Sequence, residues 1–333
     1  MSGAALPHGG AVAVDGPGTG VPSTASSPSL VAWLMDGDPA VRWQVMRDLL
    51  GAPDAAVAAE RARVATEGWG ARLLAAQDAD GRWAGGLYSP KWTSTTYTLL
   101  LLQRLGLPGS DPRARTGCRL LWDGAARHHG GLTLSRTIRE PETCITGMLV
   151  LLAAAFGVDG ERVDRTVRWL LCQQLADGGW NCDTIRRGST HGSFHTSITV
   201  LEALHAYRTA GGRVAVDGPA ERGRGFFLAH RLYRSHRTGA VVDPALTRFP
   251  FPPQWRYDIV RGLEHFRDAG AERDERMAAA VEEVRRRRSR DGTWRAYRPH
   301  PGRYWFELEP PGAPGRVATL RAMRVLGWWD ALA

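Results

Sequence analysis

Lysine is almost missing: Lys91 is the only one among 43 Lys and Arg residues, so the formal net charge of +9 rests on arginine. Charge of this kind marks a nucleic-acid binder only when a recognition module accompanies it, and none is present. The tract Arg285 to Arg288 with Arg290 reads as a solvated helix end, where positive charge is dipole-stabilised. No nucleic-acid partner is expected. Cysteine is scarce too: Cys118, Cys144, Cys172 and Cys182 form no Cys-x-x-Cys pair, which excludes a disulfide framework and a zinc ribbon. No apolar run approaches the roughly 18 residues that cross a bilayer, and no Lys or Arg precedes Arg42. The expectation is a soluble, cytoplasmic chain with reduced thiols and no transmembrane segment. Strand-like alternation never persists, which argues against a sheet protein.

What is present is helical periodicity interrupted by a repeated turn. Residues 1–28 are Gly, Ala, Pro, Ser and Val with little charge, a composition that cannot offset its ordering entropy, so they read as a flexible tail. Residues 29–333 then form one domain. Asp80-Gly81-Arg82-Trp83, Asp177-Gly178-Gly179-Trp180 and Asp291-Gly292-Thr293-Trp294 are copies of one turn, with weaker copies at His129-Gly130-Gly131-Leu132 and Thr238-Gly239-Ala240. The glycines at 81, 130, 178, 239 and 292 lie 49, 48, 61 and 53 residues apart, the size of a helical hairpin with its connections. Helical patterns fall near 29–36, 39–50, 54–77, 92–105, 111–123, 142–156, 160–175, 194–210, 220–231, 255–269, 272–289 and 315–327. The more apolar alternate members, 92–105, 142–156, 194–210, 255–269 and 315–327, are expected to form an inner ring. The fold class is therefore all-α: a single α/α toroid of about six helical hairpins.

The segment from Leu171 through Gln173, Gln174 and Asp177 to Trp180 resembles the Gln-Trp repeat of squalene-hopene cyclases. Physically, Gln would hydrogen-bond backbone at the helix end, Gly would permit the turn and Trp would pack across the junction. The resemblance implies a terpene cyclase-like toroid acting on an isoprenoid-like substrate. The Asp-x-Asp-Asp acid motif of those enzymes is absent: the nearest pattern, Asp36-Gly37-Asp38-Pro39, lacks the last carboxylate, and Asp38 reads as a helix cap. Two further stretches resemble the β subunits of protein prenyltransferases. Glu142-Thr143-Cys144 looks like that family's Asp-x-Cys segment, with Glu in place of Asp, and Phe194-His195-Thr196 is similar to its aromatic-His-Thr segment. This second resemblance implies Glu142, Cys144 and His195 as zinc ligands.

Alignment of the inner helices by their apolar runs brings Ser94 or Thr95, Cys144, His195, Asp258 and Arg316 to comparable positions, one per hairpin. They are expected to converge on one mouth. Cys144 and His195 on adjacent hairpins can supply two bonds to zinc, with Glu142, Cys182, His191 or Asp258 completing three. A helix N-terminus would favour thiolate at Cys144. Without a metal, Asp258 or Glu142 would act as an acid, and the mouth would be a polar cluster. Ser193 reads as an N-cap that leaves His191 on a loop, while Cys118 and Cys172 read as core. Trp255, Tyr257 and Trp305 sit in aromatic segments suited to an apolar substrate or a cation, and Arg261 and Arg316 could meet a diphosphate. The alternative is a non-catalytic toroid that binds a lipid or protein partner. A peptide-modifying cyclase would need a Cys-His-Gly ligand signature, which is absent.

Overall fold

The computed structural model describes residues 28–135, 137–158 and 160–331, which are predominantly helical. The helices are α1 (Pro28–Met35), α2 (Pro39–Asp48), α3 (Asp54–Ala62), α4 (Gly68–Ala75), α5 (Thr95–Leu105), α6 (Pro112–Gly124), α7 (Thr143–Phe156), α8 (Gly160–Cys172), α9 (Asp183–Arg187), α10 (Phe194–Thr209), α11 (Asp217–Ala229), α12 (Ile259–Asp268), α13 (Ala278–Arg286) and α14 (Arg316–Asp330). A short hairpin of β1 (Ala126–His128) and β2 (Gly131–Thr133) lies between α6 and α7. No described helix is long and apolar enough to cross a membrane.

The inner ring runs α5, α7, α10, α12, α14 and α2, each packed on the next. Trp43 of α2 closes it by donating its indole N–H to the Leu105 carbonyl at the end of α5, at 2.9 Å. The α7 side chains from Ile145 to Ala153 are all buried, as suits a helix apolar on every side. Outer helices bury one stripe: Val163, Val167 and Leu170 of α8 face inward while Arg162 and Arg165 face out.

The repeated turn works as a clasp. The fully buried Trp83, Trp180 and Trp294 each donate their indole N–H, at 2.8 Å, to the carbonyl ten residues earlier, on Leu73, Leu170 and Val284. Their backbone N–H groups donate to the hydroxyls of Thr95, Ser197 and Thr319 on the following inner helix. The weaker copy keeps half of this arrangement, with Leu132 N–H donating to Thr146 Oγ1. Gln77 and Gln174 donate to the carbonyls of Gly81 and Gly178, so the glutamines of the repeat do hold the helix end. Gly81, Gly178 and Gly292 have φ of +84°, +86° and +85°, a region that favours glycine.

Several expectations need correction. The pattern at 54–77 is two α-helices, because Gly68 turns at φ +60° and a Cβ there would lie 2.0 Å from Asp38 Oδ2. Asp38 is the cap it was expected to be, accepting from Ala40 N–H, and it also accepts from Trp69 N–H in α4. Cys172 is exposed, whereas Cys118 is core. The β1–β2 hairpin and α9 carry too few residues for a periodic signal. The expected tail at 1–28 lies outside the described residues except for Pro28, which opens α1.

Candidate active site

Two cavities lie within the ring and share Phe251 on their walls. The first, about 420 Å³, sits by the start of α5, beneath the loops that lead into α12 and α14. Its size falls within the range of small-molecule sites, roughly 300–1,000 Å³. The walls are aromatic: Trp92, Tyr97, Phe249, Phe251, Tyr304, Trp305 and Phe306 all face it. The loop before α14 is pinned over α5. Trp92 N–H donates to the Arg303 carbonyl and Arg303 N–H to that of Lys91, while the Trp92 indole donates to Pro301. Trp305 is oriented by donating its indole N–H to Thr98 Oγ1 at 3.0 Å, and Tyr304 by donating its hydroxyl to the His300 carbonyl.

Two titratable groups on this wall have ordinary values pushed in useful directions. Burial raises the Glu309 carboxyl above the usual carboxylate range, although Arg316 N–H and Val317 N–H donate to it and pull the other way. Burial, with the Arg256 guanidinium nearby, lowers His300 to about 4, which keeps its imidazole neutral at pH 7. Glu309 and His300 thus both line this largely apolar space, the carboxyl held by two backbone N–H groups at the start of α14.

Thr95, Cys144, His195 and Arg316 each lie within the first two residues of their helices, and Asp258 is the N-cap of α12. The side chains nevertheless have separate partners. Cys182 Sγ accepts from Cys144 N–H at 3.1 Å and from the Thr196 hydroxyl at 3.3 Å. Glu142, its carboxyl raised by burial, accepts from the Thr133 hydroxyl. His195 Nδ1 accepts from Tyr257 N–H at 2.9 Å, and His191 is on an exposed loop with Nδ1 against the Thr190 hydroxyl. Among the described residues no group of three or more His, Cys, Asp or Glu side chains is placed to hold a metal. The donors named for zinc thus do not fit a zinc site as they stand. The lowering expected at Cys144 is not found: its hydrogen bond to Cys182 and burial raise the Cys144 thiol well above its usual value, and the same bond lowers Cys182.

Asp258, buried beside Arg321 at 3.6 Å, accepts from Arg261 N–H, and burial raises its carboxyl. Arg261 makes two 2.7 Å bonds to Glu202. Arg316 donates to the Trp33 carbonyl, Tyr257 donates its hydroxyl to the Leu232 carbonyl, and Trp255 stands edge-on to His195. Of the five substrate-binding candidates, Trp305 lines the aromatic cavity and Arg261 lines the second one. Sequence reasoning passed over Glu309 and His300, although Glu307-Leu308-Glu309 directly follows the aromatic run Tyr304-Trp305-Phe306.

No protein-family model matches the chain, and no curated protein matches it. Solved structures do. A protein from Actinoplanes is similar with a TM-score of 0.47 and 16% identity, covering 88% of this chain and 90% of its own. The type II terpene cyclase MstE from Scytonema has a TM-score of 0.45 and 17% identity, covering 87% of this chain and 88% of its own. A variant of that cyclase in complex with its substrate, geranylgeranyl dihydroxybenzoate, has a TM-score of 0.33 and 15% identity over 80% of this chain and 96% of its own.

Proposed function

We propose that the chain takes up an apolar, unsaturated, isoprenoid-like substrate in the aromatic cavity and converts it by acid-initiated cyclisation, a terpene cyclase-like isomerisation. The observation that carries this reading is a cavity walled by aromatic rings with a carboxyl, Glu309, and an imidazole, His300, on its lining. In the first step the Glu309 carboxyl gives its proton to one carbon of a substrate double bond, leaving positive charge on the other carbon. The N–H groups of Arg316 and Val317, at the N-terminus of α14, stabilise the carboxylate left behind. Trp92, Trp305 and Phe306 offer ring faces to the cation while a second double bond attacks it. The neutral His300 accepts the proton lost from the final cation, so the product is an isomer of the substrate. Return of that proton through solvent resets both groups.

The test is incubation with isoprenoid alcohols and aryl-linked isoprenoids in D₂O, followed by mass spectrometry. A cyclised product carrying one carbon-bound deuterium supports the reading, and Glu309→Gln should abolish it while leaving substrate binding intact. Saturable binding with no conversion of any substrate would overturn the catalytic assignment and leave a non-catalytic lipid-binding toroid.

A further inference from the structure

The second cavity, about 320 Å³, is lined along α2 and α12, by the first part of α14 and by the second halves of α5 and α10. Its character is opposite to that of the first. Six guanidiniums line it, from Arg47, Arg61, Arg104, Arg261, Arg321 and Arg324, against the carboxylates of Glu202, Glu264 and Asp268. Behind this wall Asp48 pairs with Arg267 and Arg324, and Asp258 lies near Arg321. Seven arginines thus face five carboxylates, an excess of two positive charges in a partly buried space.

Two buried nitrogens on this wall lack partners. Arg321 is 5% exposed and its Nη1 has no hydrogen-bond partner; His265, also 5% exposed, leaves Nε2 without one. Both residues line the cavity. Arg61 and Arg47 lie against the Trp43 ring, with their guanidinium carbons 5.2 and 4.6 Å from its centroid. Burial lowers Arg61 and Arg104, with Arg47 adding to the first and Arg261 and Arg321 to the second against the opposing pull of Glu202, whereas Glu264 and Asp258 raise Arg321. Buried guanidinium donors without acceptors are costly, and a phosphate oxygen is the acceptor their geometry suits.

We infer that this arginine-lined cavity is a second binding site, separate from the aromatic one, for a small dianion of the phosphate class, either free or as the head group of a larger molecule. The dianion supplies the two missing negative charges and gives acceptors to Arg321 Nη1 and His265 Nε2. Because Phe251 faces both cavities, occupancy of one is positioned to influence the other.

The experiment uses the full chain titrated with inorganic diphosphate at constant ionic strength, which removes general screening as a cause. Saturable binding is expected, with a rise of roughly 4 °C or more in melting temperature at hundredfold saturation. Sodium chloride and acetate at matched ionic strength should give no such rise. Arg104→Gln should weaken binding about tenfold or more, consistent with loss of one charge-assisted contact. A readout that needs no variant is protection of wild-type Arg61 and Arg104 by diphosphate against phenylglyoxal, mapped by peptide mass spectrometry. An isoprenyl diphosphate that competes identifies a head group as the ligand; failure to compete, with inorganic diphosphate bound, identifies a free anion. Glu309→Gln should bind diphosphate as wild type does, which separates this site from the proposed catalysis. No saturable shift and no protection would overturn the inference and mean that the ionic network is complete without a ligand.

Discussion

Acid should destabilise this protein through His195, and the size of the effect follows from its surroundings. Its Nδ1 accepts the Tyr257 N–H, so protonation there would destroy a hydrogen bond as well as place charge in a half-buried site. Burial first, then Arg256 and Arg261, lowers its value from 6.5 to about 4. Between those values the unfolded chain binds the proton and the folded chain does not, so stability falls as pH falls. Linkage over that shift gives a loss of about 2 kcal/mol between pH 7 and pH 5 from this one residue. The assay is urea unfolding of wild type and His195→Gln at both pH values, since the glutamine oxygen can still accept from Tyr257 N–H. Other buried histidines titrate in both proteins and cancel. Wild type should lose about 2 kcal/mol more than the variant on acidification. Equal losses would refute the reasoning, because they would mean that His195 is not held neutral by the fold.

Further outcomes are expected. Trp180→Phe should cost about 2 kcal/mol in chemical unfolding, because the Leu170 carbonyl loses its donor in a fully buried site; the same cost at Trp83 and Trp294 would show the clasps to be equivalent. Gly223→Ala would put a Cβ 2.7 Å from the Trp180 ring and 2.8 Å from Leu201, and overpacking of this kind costs roughly 1–3 kcal/mol, read as a fall in melting temperature. Arg261→Ala leaves Glu202 buried with Arg104 as its remaining partner and should cost about 3 kcal/mol, whereas Glu202→Gln in the same background should recover part of that loss. Mild oxidation should join Cys144 and Cys182 before the other thiols, since Cys182 is the lowered thiol and its partner is adjacent; peptide mapping after diamide treatment reads the linkage.

The ring of helices could be read from the sequence because its signal is local. Apolar periodicity located five of the six inner helices, α5, α7, α10, α12 and α14, within a few residues but did not place α2 in the ring, and the Asp-Gly-Trp turns marked where hairpins meet. Asp38 and Ser193 were recognisable as caps because a cap acts on its own next turn. The cavities are not local. Glu309 approaches an aromatic wall built from residues near 92–101, 249–254 and 296–311, and nothing in its neighbours' identities sets that meeting. Cys144, His195 and Asp258 were aligned correctly along their helices, but a shared height on a ring does not fix where side chains point. His195 turned to Tyr257 N–H, a bond that only the folded loop before α12 could offer, while Asp258 capped its own helix at Arg261 N–H.

The contacts that close the ring join residues very far apart in the chain. Arg316 bonds the Trp33 carbonyl 283 positions away, and Arg324 bonds Gln44 across 280. As the chain leaves the ribosome, α2 therefore meets α1, α3 and α4 early, yet its face toward α14 stays uncovered until that helix is made. Val41 and Val45, which pack with Leu34 from the outset, lack Val317 and Leu320 until α14 is made. Circular permutation that joins the present ends and opens the chain elsewhere would change which helices wait. Comparison of refolding yields between such permutants and the natural order would show how far that wait governs aggregation.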